Sequence, residues 1–169
     1  MTSPADVAPA SLPEGRMEGR EAFVDLIRSA LACAAREGWT PLVLSDADFA
    51  DWPLGERAVL ESLNAWATSG RQLHFLAKDF NVMRDRHPRL VQWRTTWSHL
   101  VDARVCSGAA GEGLPSALWT PRWTMERLDT NHCTLVASTQ TTSRVALRER
   151  LDACWHRGSP GFPASVLGL

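Results

Sequence analysis

Between residues 20 and 106 the chain alternates helical stripes with short apolar runs, and this rhythm limits the fold more than any other feature. Phe23, Ile27, Ala30, Leu31 and Ala34 recur at i, i+4, i+7, i+8 and i+11, the stripe of an amphipathic helix. Gly38 follows as a stop, because glycine takes the left-handed conformation that ends helices. Pro41-Leu42-Val43-Leu44 is too short for a helix and reads as a buried strand. After Pro53 a second stripe, Val59, Leu63 and Trp66, is closed by Gly70. Leu73–Ala77 is a second strand. A third helical region, interrupted by Pro88, aligns Leu90, Trp93 and Trp97. Val101–Cys106 is a third strand. Helices that alternate with strands in this way cross over right-handedly between parallel strands. The expected fold is therefore α/β, with a mixed, largely parallel sheet flanked by helices.

The rhythm changes after the Gly-rich segment Ser107–Pro115. Ala117–Thr120, Trp123–Leu128 and Cys133–Ala137 are short strand candidates with brief turns between them, an antiparallel addition to the sheet. Arg144–His156 is a final helix offering Val145, Leu147, Leu151 and Trp155 for burial, with Thr142 or Ser143 as its cap. Gly158–Pro163 is expected to be irregular. A length of 169 residues suits one domain. Its expected limits are 19–163, between a mobile tail at 1–18 and a short tail at 164–169 whose Val166, Leu167 and Leu169 dock on the domain.

The start of the chain has no basic region followed by an apolar run, which leaves a cytoplasmic location as the expectation. No apolar stretch is long enough for a membrane span. Cys33, Cys106, Cys133 and Cys154 are widely spaced with no Cys-x-x-Cys pair, and are expected to be buried thiols.

A net charge of −1 excludes a uniformly basic nucleic-acid binder and an acidic disordered chain. The charge is nevertheless uneven. Residues 37–64 hold six acids and one base, whereas residues 71–104 hold seven bases and three acids. Asp46, Asp48 and Asp51 follow the first strand, where open α/β sheets bind ligands, and their oxygens suit Mg²⁺. The same residues also suit turn and cap positions. Lys78, the one lysine, follows the second strand and is a candidate for a phosphate, while Asp79 beside it suits a helix cap. Arginines among Trp93 and Trp97 have the composition of single-strand nucleic-acid grooves, although the i, i+4 spacing of the tryptophans is that of a buried helix face. His132-Cys133 and Cys154-x-His156 lack the ligand spacing of a zinc site. There is no P-loop, Gly-x-Gly-x-x-Gly or Gly-x-Ser-x-Gly motif.

Gly19-Arg-Glu-Ala-Phe23, Arg71-Gln-Leu-His-Phe-Leu76 and Leu147-Arg-Glu-Arg-Leu-Asp-Ala-Cys-Trp155-His-Arg157 carry a family resemblance. They are similar to an uncharacterised bacterial family of phospholipase-D-like domains, over roughly residues 19–163. The last helix of that family commonly reads Arg-Glu-x-x-Asp-x-x-Trp-x-Arg-Ser-x-Pro. Arg148, Glu149, Asp152, Trp155, Arg157, Ser159 and Pro160 fit it, with Gly158 interposed. The resemblance implies half of a phospholipase-D-like fold. Catalysis in the superfamily uses His-x-Lys-x₄-Asp, in which His attacks phosphorus and Lys neutralises phosphate oxygens. This chain has no His-x-Lys, and residues 117–129 contain Trp119, Arg122 and Trp123 but neither His nor Lys.

The resemblance therefore implies a catalytically inactive binding module without a cofactor, with Arg122 and Arg127 left to hold an anion beside the strand-end candidate Lys78. It also implies a homodimer, for which Trp119 and Trp123 are the interface candidates. Some relatives carry the domain beside an acetyltransferase domain, which makes an acetyltransferase a candidate partner. Two alternatives remain. One is a metal-assisted phosphoester hydrolase using Asp46, Asp48 and Lys78. The other is a nucleic-acid-binding module using the basic region 71–104.

Overall fold

In the computed structural model, which describes residues 11–164, the stripes and runs of the first half become the expected elements. Helix α1 (Arg20–Glu37) ends where Gly38 turns left-handed, φ 72°, and donates its N–H to the Ala34 carbonyl. Strand β2 (Leu42–Asp46) is followed by α2 (Arg57–Trp66), then β3 (Leu73–Ala77). The third helical region is two helices, α3 (Asn81–Arg86) and α4 (Pro88–Thr96). Pro88 cannot continue α3, but it starts α4 without penalty because the first turn needs no donor there. Strand β4 (Val101–Val105) completes the set, and β2, β3 and β4 are parallel neighbours.

The second half supplies β5 (Ser116–Trp119), β6 (Thr124–Asp129) and β7 (Thr134–Ser138), an antiparallel meander laid against β2. Helix α5 (Thr141–Arg157) follows. The sheet has eight strands in the order β1-β7-β6-β5-β2-β3-β4-β8, where β1 is Gly15–Glu18 and β8 is Ser159–Pro160. The chain is thus α/β with a mixed sheet flanked by helices.

The sheet is less parallel than expected, since only β2–β3 and β3–β4 pair that way. Strands joined by helices can run parallel, whereas those joined by short turns must reverse. Two segments expected to be irregular also join the sheet. Gly15–Glu18, placed in the mobile tail, pairs with β7, and Met17 packs against the core. Ser159–Pro160 pairs with the far edge of β4. Backbone hydrogen bonds to a waiting edge order both, although neither has an apolar pattern. Helix α5 begins at Thr141, ahead of the expected Arg144, with Gln140 rather than Thr142 or Ser143 at the cap position and no side-chain cap bond. Val145 on this helix is exposed. The docking expected for Val166, Leu167 and Leu169 lies outside the described residues.

Alternation along the strands builds two cores. Leu42, Leu44, Leu73, Phe75, Ala103, Leu118, Met125 and Leu135 face α1, α2 and α4. Val43, Leu76 and Ala117 face Leu147, Leu151 and Cys154 of α5. All four cysteines are free and buried, as their spacing implied. Among the described residues no helix is long and apolar enough to cross a membrane.

Candidate functional site

The carboxyl ends of β2, β3 and β4 bring together most of the residues singled out from the sequence, in two separate groups. The first lies between β2 and β6. Asp46, the last residue of β2, is 3% exposed and meets Arg127 of β6, with Nη2 2.9 Å from its Oδ1. Asp51 approaches the same guanidinium, Oδ2 to Nη1 at 3.0 Å, and its other oxygen lies 3.5 Å from Arg20. Ser116 donates its hydroxyl to Asp46 Oδ1 at 2.6 Å and accepts from Arg127 Nε at 3.1 Å. Asp46 Oδ2 accepts the Phe49 N–H at 2.8 Å and the Asp48 N–H at 3.2 Å. The Arg127 guanidinium also lies over the Phe23 ring, 4.2 Å from its centroid. Burial opposes the charge on Arg127, but Asp46, Asp51 and its hydrogen bonds outweigh that, so it titrates above its ordinary value.

This arrangement corrects two expectations at once. Asp46 and Asp51 gather around a guanidinium instead of a metal ion, and Asp48 turns aside to accept the Ala50 N–H at 2.9 Å. No group of three or more His, Cys, Asp and Glu among the described residues is placed to hold a metal. Arg127, offered as an anion ligand, already has its anions. The crevice between β2 and β5 is further closed by the 107–115 loop, where the Ser45 hydroxyl donates to the Pro115 carbonyl at 2.6 Å. A β-carbon on Gly111 would sit 2.1 Å from the Cys106 carbonyl oxygen, so the loop lies against the end of β4 only because this residue has no side chain. Gly111→Ala is expected to cost about 1–3 kcal/mol by overpacking, read as a lower urea midpoint with an unchanged m-value.

The second group lies at the ends of β3 and β4 and is open. Lys78, Asp79, Asn81 and Arg84 from the β3 side and Ser107 from the β4 side line a cleft of about 370 Å³. Val105, Phe80, Phe162 and Pro163 supply its apolar lining. Lys78 is exposed and has no carboxylate within ion-pair distance among the described residues. Asp79 does not cap α3 from the N-cap position, which Phe80 occupies. Its carboxylate instead accepts the Asn81 N–H at 2.6 Å and the Asn81 side-chain amide at 3.2 Å. Sequence reasoning named Lys78 but missed Asn81, Ser107 and Phe162. Their one signal was position, immediately after a strand or beyond the last helix.

The remaining candidates lie elsewhere. Arg122 is exposed in the β5–β6 turn, at the amino end of β2, beside a cavity of about 690 Å³ shared with Trp39, Glu37 and Thr139. Trp123, expected at an interface, is 1% exposed and donates its indole N–H to the Pro13 carbonyl at 2.9 Å. Trp119 is half-buried beneath α5, where it donates to the Arg144 carbonyl at 2.9 Å and carries the Arg148 guanidinium 4.6 Å from its ring centroid. Trp123 thus offers no face to a second copy, and Trp119 is only partly accessible. His132 bonds Asp129 at 2.8 Å in the β6–β7 turn, far in sequence and partnership from Cys154 and His156.

No family model matches the chain, and no curated protein does either. Among solved structures the fold has a counterpart. TrmBL2, described as an archaeal chromatin protein with a novel mode of DNA binding, superposes with a TM-score of 0.67 over 94% of this chain. The two are 12% identical, and this chain spans 58% of the TrmBL2 length. At that identity the likeness establishes a shared α/β architecture.

The basic region 71–104 divides by use. Arg94 is buried and donates to the Phe162 and Ser98 carbonyls at 3.2 and 3.3 Å. Arg104 lies over Trp155 and donates to its carbonyl at 2.9 Å. Arg86 and Arg89 are exposed and reach only the Ala50 and Gly55 carbonyls, at 3.5 and 2.9 Å. None of the seven bases in 71–104 forms an ion pair among the described residues.

Proposed function

We propose that the chain is a non-catalytic binding module of phospholipase-D-like type, and that the exposed bases of α3 and α4 engage a polyanion, nucleic acid first among them. The observation that carries this is the set of unpaired cations. Arg84, Arg86 and Arg89 lie within six residues of one another on consecutive helices; Arg86 and Arg89 are exposed, Arg84 is half-buried, and none of the three forms an ion pair among the described residues. Cations left without internal partners are what a phosphate backbone requires. The described DNA binding of TrmBL2, similar in fold, favours nucleic acid over other polyanions. The inactive reading rests on the sequence, which holds no His-x-Lys pair. The homodimer and the acetyltransferase partner have no supporting surface feature among the described residues, and binding by α3 and α4 needs only one copy.

Fluorescence anisotropy with a labelled oligonucleotide across a salt series tests this. Affinity is expected to fall steeply with salt, and Arg86→Ala with Arg89→Ala is expected to lower the log–log slope by roughly one for each phosphate no longer neutralised. Binding that ignores salt, or an unchanged slope in the double variant, would sink the proposal.

A further inference from the structure

The cleft at the ends of β3 and β4 has chemistry that a polyanion-binding surface does not need. It is concave, and it has two unlike halves. One half is polar and cationic, with the Lys78 ammonium, the Arg84 guanidinium, the Asn81 amide and the Ser107 hydroxyl. The other half is apolar and aromatic, with Phe80, Phe162, Val105 and Pro163. The Asp79 carboxylate also lines the cleft, but its oxygens are engaged by Asn81, and the lining keeps a net positive charge. Ser107 and Lys78 form no side-chain hydrogen bond among the described residues, so their donors are free.

Position and size add to this. Ligands of open α/β sheets bind beyond the carboxyl ends of the parallel strands. Here the neighbouring position, beyond the ends of β2 and β5, is filled by Arg127 and the 107–115 loop, whereas the β3–β4 ends stay open. A volume of about 370 Å³ falls at the lower end of the roughly 300–1,000 Å³ common for small-molecule sites. The walls are also fixed. Phe162 is 1% exposed and stacks on Phe80 at 5.3 Å, and Gly161 donates its N–H to the Ala103 carbonyl at 3.1 Å.

We propose that this cleft binds a phosphate monoester on an organic body of about mononucleotide size, with the phosphate held by Lys78, Arg84 and Ser107 and the body against Phe80 and Pro163. A monoester carries close to two negative charges at neutral pH and several acceptor oxygens, which match two cations and a hydroxyl. Two sources have this chemistry, a free mononucleotide and the 5′-phosphorylated end of a nucleic-acid strand. The proposal shares Arg84 with the polyanion surface but otherwise uses different residues.

The test is a calorimetric titration of the full chain with inorganic phosphate, a 5′-mononucleotide and its unphosphorylated nucleoside. A second arm compares an oligonucleotide bearing a 5′-phosphate with the same strand ending in a hydroxyl. Saturable binding of the mononucleotide at one site is expected, with the nucleoside at least about tenfold weaker, a difference of about 1.4 kcal/mol. Lys78→Met and Ser107→Ala, both at exposed positions, are each expected to weaken it by at least about tenfold while leaving the thermal midpoint in place. A preference of the second arm for the phosphorylated end identifies the strand terminus as a source; equal binding there restricts the source to the free nucleotide. No saturation by either the mononucleotide or the phosphorylated strand, equal binding of nucleoside and nucleotide, or undiminished binding in Lys78→Met overturns the proposal. Arg86→Ala with Arg89→Ala separates the two readings, because it is expected to lower the salt slope of oligonucleotide binding and to spare the mononucleotide.

Discussion

Arg127→Ala is expected to lose about 3–5 kcal/mol of folding stability, because it leaves Asp46 buried and unpaired in the floor between β2 and β6. The loss combines the uncompensated charge, the emptied space and the missing cation over the Phe23 ring. Arg127→Met separates these, since it restores most of the volume and none of the charge. Adding Asp46→Asn to Arg127→Met is expected to recover much of the deficit, as a neutral amide no longer needs a counter-charge. Urea denaturation of the three variants and the parent measures this. A deficit below about 1 kcal/mol in Arg127→Ala would refute the ion-pair account.

Phe162→Ala is the other large effect, expected at about 3–5 kcal/mol. The ring stacks on Phe80, meets Phe75 edge-on at 6.0 Å, and has the Arg84 and Arg94 guanidiniums at 5.8 and 5.9 Å from its centroid. Its carbonyl accepts the buried Arg94 Nε. It is also a non-glycine residue with φ 45°, a backbone state that costs an L-residue roughly 1–2 kcal/mol. That combination gives an unusual ranking. Phe162→Gly loses the same ring but relieves the backbone, and should be more stable than Phe162→Ala by about 1 kcal/mol. Denaturation midpoints of the two variants decide it, and the ordinary order, alanine above glycine, would show that the positive φ stores no strain.

The three helix–strand units were legible because each stripe and run is local. The meander was legible too, since β5, β6 and β7 lie within a residue of the expected spans. β1 and β8 were not, because what orders Gly15–Glu18 and Ser159–Pro160 is an edge contributed by residues far along the chain. The same limit hid the true role of the acidic cluster. Asp46 and Arg127 are 81 residues apart, and a carboxylate's residue type does not distinguish a metal partner from a guanidinium. Yet one signal was present. Trp123, Met125 and Arg127 share the period-two phase of a strand, and a strand that buries Met125 buries the other two as well. Applied to β6, that phase places Trp123 in the core instead of at an interface, and makes Arg127 a buried charge in need of an acid. The cleft residues stayed illegible because Ser107, Asn81 and Phe162 meet only through the sheet order.

The two outermost strands bear on how this molecule meets others. One margin of the sheet is four residues long and carries Arg16 and Glu18; the other is two residues long and includes Pro160, which has no amide hydrogen to give. Short margins marked by charge and proline resist the docking of a foreign strand. Association through main-chain ladders, whether ordered recognition of an extended peptide or runaway stacking into fibrils, is thereby discouraged at both sides. Recognition by side chains and the concavities between them is thereby favoured.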